Sequence, residues 1–565
     1  MGDWSGGYVS DVEYVSGVYA EQGPSVMDLA CIMAGYEPPR RPGSNAPFTY
    51  CDLGCGHAGT VSALAAANPA GRFWGIDLMP AHIARAEDFR KAAQIDNLTL
   101  IEADLAELAA APDPGLPKFD YIALHGLFSW VSDPVRTGIL RFLDRFLRPG
   151  GAVYVGYNVL PGWTDVIPTQ KVLFEFAATR QGSSVERMEA AVGFLKSMKE
   201  AGARGLESHM SERLFSDVKV PDIRQRQFRY LTHEFLNAQW LPRFHVDVAR
   251  ELSEARLDYV ASANLLENFA GIGLGPEART LLETVPAGPL RETMEDFFNV
   301  RKFRRDVYVR GRREITSITR ETMLADAALA LRGPRPDPKQ RNWPMLGMEF
   351  ELDQTVYGPV FDRLEQGPAT LGELTALVRQ AGGEATANEI VGLLTGLELV
   401  VPVLQDVSGD GLAACFRHNR AVLHEAFRTV RMNDFHLATP VGHTAIPLSG
   451  IHCLMLDGMF AGVDPTVEAV SAHVIRRGEI DETRLQDADA PPGKDLPDPT
   501  ADTAKAARSA QGASGSDNSA VTSDTAKPAR QIPAGEIVRT IVAEALEHRV
   551  PLWRQLGLLP PARDG

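Results

Sequence analysis

From Phe48 to about Val159 the sequence alternates short β-rich runs with helical segments, and this alternation restricts the possible folds more than any other feature of the chain. The β-rich runs, in chain order, are FTYCDLG, RFWGIDL, LTLIEADL, FDYIALHG and GAVYVGYN. Between them lie the helical patterns VSALAAAN, AHIARAEDFRKAAQ and PVRTGILRFLDRFL. Strands that alternate with helices predict a parallel sheet with helices on both faces. We therefore predict an α/β fold for this part of the chain.

The turn after the first predicted strand, in CDLGCGHAGT, carries Gly54, Gly56 and Gly59 at the spacing G-x-G-x-x-G. A glycine turn lets the backbone approach a ligand closely, and the next helix offers unpaired N–H groups at its N-terminus. Either a dinucleotide or S-adenosylmethionine could use such a turn. The glycine spacing alone is a weak signal, so the choice between the two cofactors depends on the acidic residues around the turn.

An acidic residue stands at the end of each of the first three predicted strands. Asp52 lies two residues before Gly54, where a carboxylate suits the ammonium and sulfonium groups of S-adenosylmethionine better than the anionic pyrophosphate of a dinucleotide. Asp77 can accept both ribose hydroxyls, a role common to both cofactors. Asp104 can accept from the adenine amino group or cap the next helix. We predict that S-adenosylmethionine is bound by Asp52, Gly54, Gly56, Asp77, Leu78, Asp104, Leu105 and His125.

Two further segments, LHGLFSWVSDP and GYNVLPGW, follow the fourth and fifth predicted strands. His125 is a candidate general base or cofactor ligand, with a purely structural histidine as the alternative. Phe128, Trp130 and Trp163 are candidates for an aromatic wall around the methyl acceptor, or for core packing. Tyr157 would offer a phenol near the acceptor. The candidate catalytic residues are therefore His125, Tyr157 and Trp130.

These two segments, as FDYIALHGLFSWVSDPVR and GGAVYVGYNVLPGW, resemble bacterial class I methyltransferases that carry a methyltransferase regulatory domain. Residues 233–269 and 290–311 resemble that regulatory domain, and the resemblance extends over residues 7–480. Some members are protein lysine methyltransferases of outer-membrane proteins, with a Rossmann-like core, helical dimerisation and middle domains, and a C-terminal domain. The resemblance implies an S-adenosylmethionine-dependent enzyme that N-methylates protein lysines and allows a homodimer. A small-molecule O- or N-methyltransferase and a non-catalytic cofactor-sensing scaffold are the alternatives.

The remaining patterns predict six successive segments. They are a methyltransferase core with an N-terminal lid containing Tyr8, Tyr14 and Tyr19 (1–168), a helical regulatory domain (169–325), a winged-helix-like module (345–405), a small C-terminal domain (406–484), a disordered linker (485–533) and an amphipathic terminal helix (534–560). For the three tyrosines, packing in an N-terminal helix is the alternative to a lid. Acidic residues outnumber basic ones in the winged-helix-like module, which favours packing or protein binding over DNA recognition.

Charge and composition exclude several functions. The formal net charge of −16 opposes general nucleic-acid binding, and the (Asp/Asn/Ser)-Pro-Pro-aromatic turn of base methyltransferases is absent after the fourth strand. In the basic segment RKFRRDVYVRGRR, at 301–313, the alternation favours an exposed strand with a solvated basic face over a site for an acidic partner. The five cysteines form no CxxC pair, so we expect neither disulfides nor a metal. Without a secretory leader or a long apolar run, we expect a cytoplasmic protein that does not bind membranes.

Overall fold

A computed structural model of the 565-residue chain describes residues 9, 11–12, 17–206, 221–269, 273–340, 342–343, 348–349, 351–404, 407–428, 435–478 and 534–560. The predicted lid residues Tyr8 and Tyr14 and the predicted linker 485–533 lie outside the described residues. The chain divides into two compact units. The first takes residues up to 324 apart from 66–68 and 92–95, and the second takes those two stretches together with residues 325–565.

The first unit is built on a seven-stranded sheet with the order β3-β2-β1-β4-β5-β7-β6. Its strands are β1 Phe48–Leu53, β2 Gly71–Asp77, β3 Leu98–Glu102, β4 Phe119–His125, β5 Leu147–Asn158, β6 Leu257–Ser262 and β7 Phe303–Arg310. Strands β1 to β5 pair in parallel, whereas β7 is antiparallel to both of its neighbours. The predicted α/β fold with a Rossmann-like core is confirmed.

The helices of the first unit connect these strands and extend beyond them. They are α1 Pro24–Met33, α2 Gly59–Ala67, α3 Pro80–Ala92, α4 Leu105–Ala110, α5 Asp133–Phe146, α6 Ile167–Ala178 and α7 Ser184–Glu200, followed by Pro221–Phe235, His245–Glu254, Pro276–Glu283, Pro289–Asn299 and Ser317–Asp326. All six residues of β1 are buried, as expected for a parallel strand that is covered on both faces. The carboxyl ends of β1 and β4 lie side by side, because Asp52 is in register with Ala123.

The basic segment at 301–313 is not an exposed strand, and that expectation was wrong. Within it, β7 lies between β5 and β6 in the interior of the sheet. Arg304 has no exposed surface and forms ion pairs with Asp306 and Asp296, at 3.0 and 2.9 Å. The alternation predicted the strand correctly, but Arg304 pairs with Asp306 on the same strand and with Asp296 on the preceding helix, and these ion pairs allow the guanidinium to be buried.

The segment that we expected to form a helical regulatory domain is only partly helical. Its strands β6 and β7 complete the sheet of the first unit, so the sheet is not confined to residues 1–168. The helices α6, α7 and Pro221–Phe235 form a separate apolar cluster, which includes Trp163, Leu173, Met188, Leu195 and Leu231. The regulatory segment therefore contributes both to the sheet and to a helical layer.

The described residues of the second unit form three small sheets. Its strands are β8 Ala328–Leu331, β9 Asn342–Trp343, β10 Met348–Glu349, β11 Ala369–Thr370, β12 Val400–Val403, β13 Phe435–Thr439 and β14 Thr444–Leu448. Strand β8 is antiparallel to both β11 and β12 and lies between them. The helices Gln354–Leu364, Leu371–Gln380 and Ala387–Gly396 belong to the same segment. The winged-helix-like assignment of this segment stays a prediction.

The terminal segment 534–560 packs into the core of the second unit. It contains the helix Ala534–Glu544, a π-helical turn Ala545–Arg549 and the helix Val550–Gln555. Its apolar side chains join those of the hairpin β13–β14 and of the helices Gly450–Phe460 and Val467–Gly478. The helix Gly409–Arg428 also belongs to this unit. Within the described ranges, no helix is both long enough and apolar enough to cross a membrane.

Candidate active site

The glycine loop between β1 and α2 is a left-handed turn that is anchored to the end of β2. Gly54 and Gly56 have φ angles of +71° and +54°, a region that side chains with a Cβ rarely adopt. The N–H groups of Gly54 and Cys55 both donate to the carbonyl of Ile76, at 2.8 and 3.1 Å. A Cβ on Gly54 would lie 3.2 Å from a methyl group of Leu127. The first two glycines are therefore required by backbone conformation, and Gly54 also by close packing.

Asp77, at the end of β2, is held in place by the loop and by the start of α3. Its Oδ2 accepts from the N–H of Gly56 at 2.8 Å, and its Oδ1 accepts from the N–H of Met79 at 2.9 Å. The imidazole Nδ1 of the buried His82 lies 3.2 Å from Oδ1. A carboxylate has about four lone-pair positions, so this arrangement fixes Asp77 and leaves capacity to accept from a ligand.

Asp52, the last residue but one of β1, is a buried carboxylate with 4% of its surface exposed. No side chain or backbone group in the described part of the chain donates a hydrogen bond to it. Burial, and secondarily the nearby Asp77 carboxylate, raise the pKa of Asp52 to about 8. A buried charge without a partner is unfavourable, and a bound cation would relieve that cost. Asp52 therefore fits the role of an ammonium ligand.

Asp104 performs the structural role that the sequence left open as an alternative. Its Oδ1 accepts from the N–H groups of Ala106 and Glu107, at 2.7 and 3.2 Å, and so caps α4. Its Oδ2 makes no hydrogen bond with a described residue, so the cap does not exhaust the carboxylate. Leu105 is buried in the core beside the sheet, and Leu78 is half-buried after β2.

His125, at the end of β4, belongs to an aromatic cluster on one face of the sheet. Its Nδ1 lies 2.8 Å from the phenol oxygen of Tyr154, and its ring stacks on Tyr19 at a centroid distance of 3.6 Å. The ring of Phe303 lies 5.1 Å away. Burial and the Arg305 guanidinium lower the pKa of His125 well below its usual value, so the imidazole is neutral near pH 7.

Tyr154 and Phe303 were missed by the sequence reasoning. The signal for Tyr154 was its place in β5, since His125 is in register with Gly156 and Tyr154 is a diagonal neighbour on the same face. A Cβ on Gly156 would lie 2.9 Å from Nδ1 of His125, so the ring packs across that glycine. Tyr19, in contrast, was predicted as a lid residue, and its backbone N–H donates to Oγ1 of Thr60 at the start of α2.

Tyr157 does not join this cluster. Side chains alternate across a strand, so Tyr157 lies on the opposite face of β5 from Tyr154. Its hydroxyl is fully buried and donates to Oδ2 of Asp306 at 2.6 Å. Nδ1 of His245 lies 2.9 Å from the same hydroxyl oxygen. Burial, and then the Asp306 carboxylate, raise the pKa of Tyr157 well above its usual value. This placement does not support the expectation that His125 and Tyr157 act on one acceptor.

The tryptophans of the two post-strand segments meet through a third one. The ring centroids of Trp130 and Trp240 lie 6.1 Å apart, and those of Trp240 and Trp163 lie 5.4 Å apart. Trp163 is buried and donates its indole N–H to the carbonyl of Lys302 at 2.6 Å, whereas Trp130 and Trp240 are partly exposed. Phe128 lies entirely in the core. Of the predicted aromatic wall, only Trp130 keeps a partly exposed surface, and Trp240 joins it.

Two family models match the chain over the regions just described. A methyltransferase domain matches residues 51–153, and a predicted methyltransferase regulatory domain matches residues 227–310. The second match contains both β6 and β7. An uncharacterized protein of Synechocystis is 30% identical over 457 residues, which cover 80% of this chain and 87% of that protein.

The chain belongs to the class I S-adenosylmethionine-dependent methyltransferases with a regulatory domain. This methyltransferase is also 34% identical to a malonyl-[acyl-carrier protein] O-methyltransferase of Paenibacillus, over 102 residues that cover 18% of this chain and 36% of that enzyme. Its fold is similar to that of PKMT2 from Rickettsia typhi, solved in complex with AdoHcy, with a TM-score of 0.62 and 17% identity. That likeness covers 97% of this chain and 99% of PKMT2.

The site residues of the methyltransferase fit its S-adenosylmethionine cofactor. The buried Asp52 carboxylate offers a place for a cationic group, and the fixed Asp77 offers acceptor positions beside the same loop. The described residues contain no group of three or more His, Cys, Asp or Glu side chains that could hold a metal ion.

Proposed function

We propose that this methyltransferase transfers a methyl group to the side-chain amine of lysine residues in a protein. The observation that carries the proposal is the whole-chain likeness to PKMT2, which includes the second unit as well as the widespread methyltransferase core. The sequence resemblance to protein lysine methyltransferases supports it. The net charge of −16 and the absent base-methylation turn disfavour a nucleic-acid acceptor.

We assign the cofactor contacts by the chemistry of each group. Asp52 accepts from the ammonium group, and the backbone of Gly54 and Gly56 approaches the cofactor without side-chain obstruction. Asp77 accepts from the ribose hydroxyls, and the free oxygen of Asp104 accepts from the adenine amino group. Leu78 and Leu105 supply apolar surface next to these acids, and His125 lies at the neighbouring strand end.

Bound S-adenosylmethionine would supply an electrophilic methyl group, which the lone pair of the neutral lysine nitrogen would take up while the carbon–sulfur bond breaks and its electron pair stays on sulfur. The amine must first be neutral, although its reference pKa is about 10.4. A partly dry aromatic surface disfavours the ammonium form, and Trp130 and Trp240 supply such a surface. Alignment of the two reactants then supplies much of the rate enhancement.

Methyl-labelled S-adenosylmethionine and a protein extract of the native host test the proposal, with the full chain as enzyme. We expect label in protein, located by mass spectrometry on lysine side chains. Label in a solvent-extractable product would instead favour a small-molecule acceptor. Cofactor binding without transfer into either fraction would favour the non-catalytic scaffold. Asp52→Asn serves as the inactive control, and Asp88→Asn, on the exposed side of α3, as its matched variant.

A further inference from the structure

We propose that Tyr154 is a positioning residue that fixes His125 as the tautomer with its proton on Nε2, so that His125 donates a hydrogen bond into the methyl-transfer site. The inference rests on the proposed function and places the methyl-transfer site at the adjacent carboxyl ends of β1 and β4, where Asp52 and His125 lie. It does not depend on lysine being the acceptor. It excludes His125 as the general base that the sequence suggested.

The direction of the hydrogen bond follows from the donors and acceptors that Tyr154 can reach. The phenol is fully buried, and its oxygen lies 2.8 Å from Nδ1 of His125. Burial, and then the charge of Glu21, raise the pKa of Tyr154 well above its usual value, so the phenol keeps its proton. The structure gives this hydroxyl no other hydrogen-bond partner among the described residues. The proton must therefore be donated to Nδ1.

The surroundings of His125 keep its ring neutral. The side chains around His125 are Tyr19, Tyr154, Phe303 and Arg305, with Glu21 paired to Arg305 at 3.4 Å. A neutral imidazole carries one proton, and a ring that accepts at Nδ1 carries it at Nε2. Nε2 has no hydrogen-bond partner in the described part of the chain, so its N–H is available to an incoming oxygen atom.

Packing keeps the ring in this orientation. Tyr19 covers one face of the imidazole in a stack with an interplanar angle of 20°, and Gly156 leaves room for the edge that carries Nδ1. If the ring turned over about its Cβ–Cγ bond, the carbon Cδ2 would take the place of Nδ1, and the Tyr154 hydroxyl would lose its acceptor. The oxygen that accepts from Nε2 belongs either to the cofactor or to the methyl acceptor.

Nitrogen NMR of the full chain with labelled histidine tests the tautomer directly. We expect the His125 Nδ1 to show the chemical shift of a nitrogen without a proton and Nε2 that of a protonated nitrogen, unchanged between pH 6 and 8. His125→Gln assigns the signals. In Tyr154→Phe we expect the two tautomers to interconvert. A proton on Nδ1 in the unsubstituted protein overturns the proposal, whether or not Tyr154→Phe folds.

Binding of S-adenosylhomocysteine and the kinetics of methyl transfer test the role of Nε2. His125→Gln retains an N–H donor close to the position of Nε2, whereas His125→Leu has none. We expect the affected binding or kinetic constant of His125→Gln to stay within about threefold of that of the unsubstituted protein. We expect the same constant to worsen about tenfold in His125→Leu. The loss falls in cofactor affinity if the oxygen belongs to the cofactor, and in KM or kcat for the acceptor otherwise. Equal losses in all of these constants for both variants overturn the proposal. The binding arm stays informative even if lysine is not the acceptor.

Discussion

The backbone N–H of Gly56 donates a 2.8 Å hydrogen bond to Oδ2 of Asp77, and so joins the glycine loop to an acid 21 residues further along the chain. The same carboxylate accepts from Met79 at the entry to α3. The loop, the end of β2 and the start of α3 therefore hold one another in a single conformation. A change at either end of the hydrogen bond alters both the loop and the proposed ribose site.

We predict that Asp77→Asn weakens binding of S-adenosylhomocysteine by at least about tenfold, since hydrogen bonds to a charged group are worth roughly 1.5–3 kcal/mol. The asparagine amide would also present N–H groups to a backbone that needs acceptors. Isothermal titration calorimetry measures the change. Asp88→Asn, on the exposed side of α3, controls for the loss of one negative charge. Equal affinities of the two variants would show that Asp77 does not hold the ligand.

For Asp52→Asn we predict weaker cofactor binding together with a more stable ligand-free protein. The pKa of Asp52 is about 8 in the folded chain, against about 3.9 in an unfolded one. The folded state thus binds the proton more tightly, and this residue reduces stability as pH rises from about 4 to 8. Denaturant unfolding should show that the variant gains roughly 1–2 kcal/mol at pH 5 and about 5 kcal/mol at pH 8. A gain that is independent of pH would contradict the assignment.

Cofactor binding should also release protons through Asp52. Near pH 7 this carboxyl is largely protonated in the ligand-free protein, and a bound ammonium group favours its ionised form. We expect the release of nearly one proton per S-adenosylhomocysteine bound at pH 7, as about one site titrates. Calorimetry in buffers of different ionisation enthalpy measures this number. Asp52→Asn should release none, and an unchanged release in that variant would place the linked proton elsewhere.

Tyr157→Phe should affect stability and leave turnover per folded molecule intact. The variant loses the 2.6 Å hydrogen bond to Asp306. We expect its free energy of unfolding to fall by about 1.5–3 kcal/mol, because the acceptor is charged and buried. Chemical denaturation and active-site titration separate the two effects. Tyr36→Phe is the matched control, since the Tyr36 hydroxyl makes no hydrogen bond with the described residues. A large fall in kcat at full occupancy would restore Tyr157 as a catalytic candidate.

Loss of the buried ion pairs of β7 should lower stability more than Tyr157→Phe does. In Arg304→Met, Asp296 and Asp306 lose the guanidinium that they share, and we expect a cost of about 3–5 kcal/mol. Arg304 and His245 lower the pKa of Asp306, so the stability from this carboxylate is present above about pH 3.9 and is lost as the pH falls further. Arg312→Met, with 40% of the side chain exposed, should cost less than about 1 kcal/mol.

Trp553→Ala should destabilise the second unit while the first stays folded. The indole is 2% exposed in the core of that unit, and truncation of a buried tryptophan costs about 3–5 kcal/mol. Hydrogen exchange read by mass spectrometry should show lost protection in 534–560 and in the helix Gly450–Phe460. Glu547→Ala, with 76% of the Glu547 side chain exposed, is the control. Equal loss of protection across the seven-stranded sheet would contradict this prediction.

Local patterns predicted the five parallel strands and the acids at the ends of the first three, because each depends on neighbours in sequence. The burial of Arg304 could not be predicted in this way. Its face of β7 is neutralised by Asp296 and by a network that reaches His245 and Tyr157, which lie 61 and 149 residues from Asp306. Charged residues are rarely buried without such partners, so a local pattern favours the exposed interpretation.

The division of the aromatic residues between the two faces of β5 was, by contrast, within reach of the sequence. Tyr154 and Tyr157 are separated by an odd number of positions, so a strand places them on opposite faces. The register of β4 against β5 then decides which of them meets His125, and register is a property of the assembled sheet. Strand alternation therefore separates the two tyrosines, but only the pairing identifies the partner.

The place of the terminal segment 534–560 has a consequence for how the chain is made. Apolar side chains of 435–474 pack against Val542 and Trp553, which leave the ribosome after a further stretch of some dozens of residues. At ordinary rates of synthesis this apolar surface stays exposed for on the order of several seconds before segment 534–560 is available to pack against it. During that interval the nascent chain offers a binding surface to chaperones. A chain that stops within 479–533 keeps that surface open and becomes a target for proteolysis.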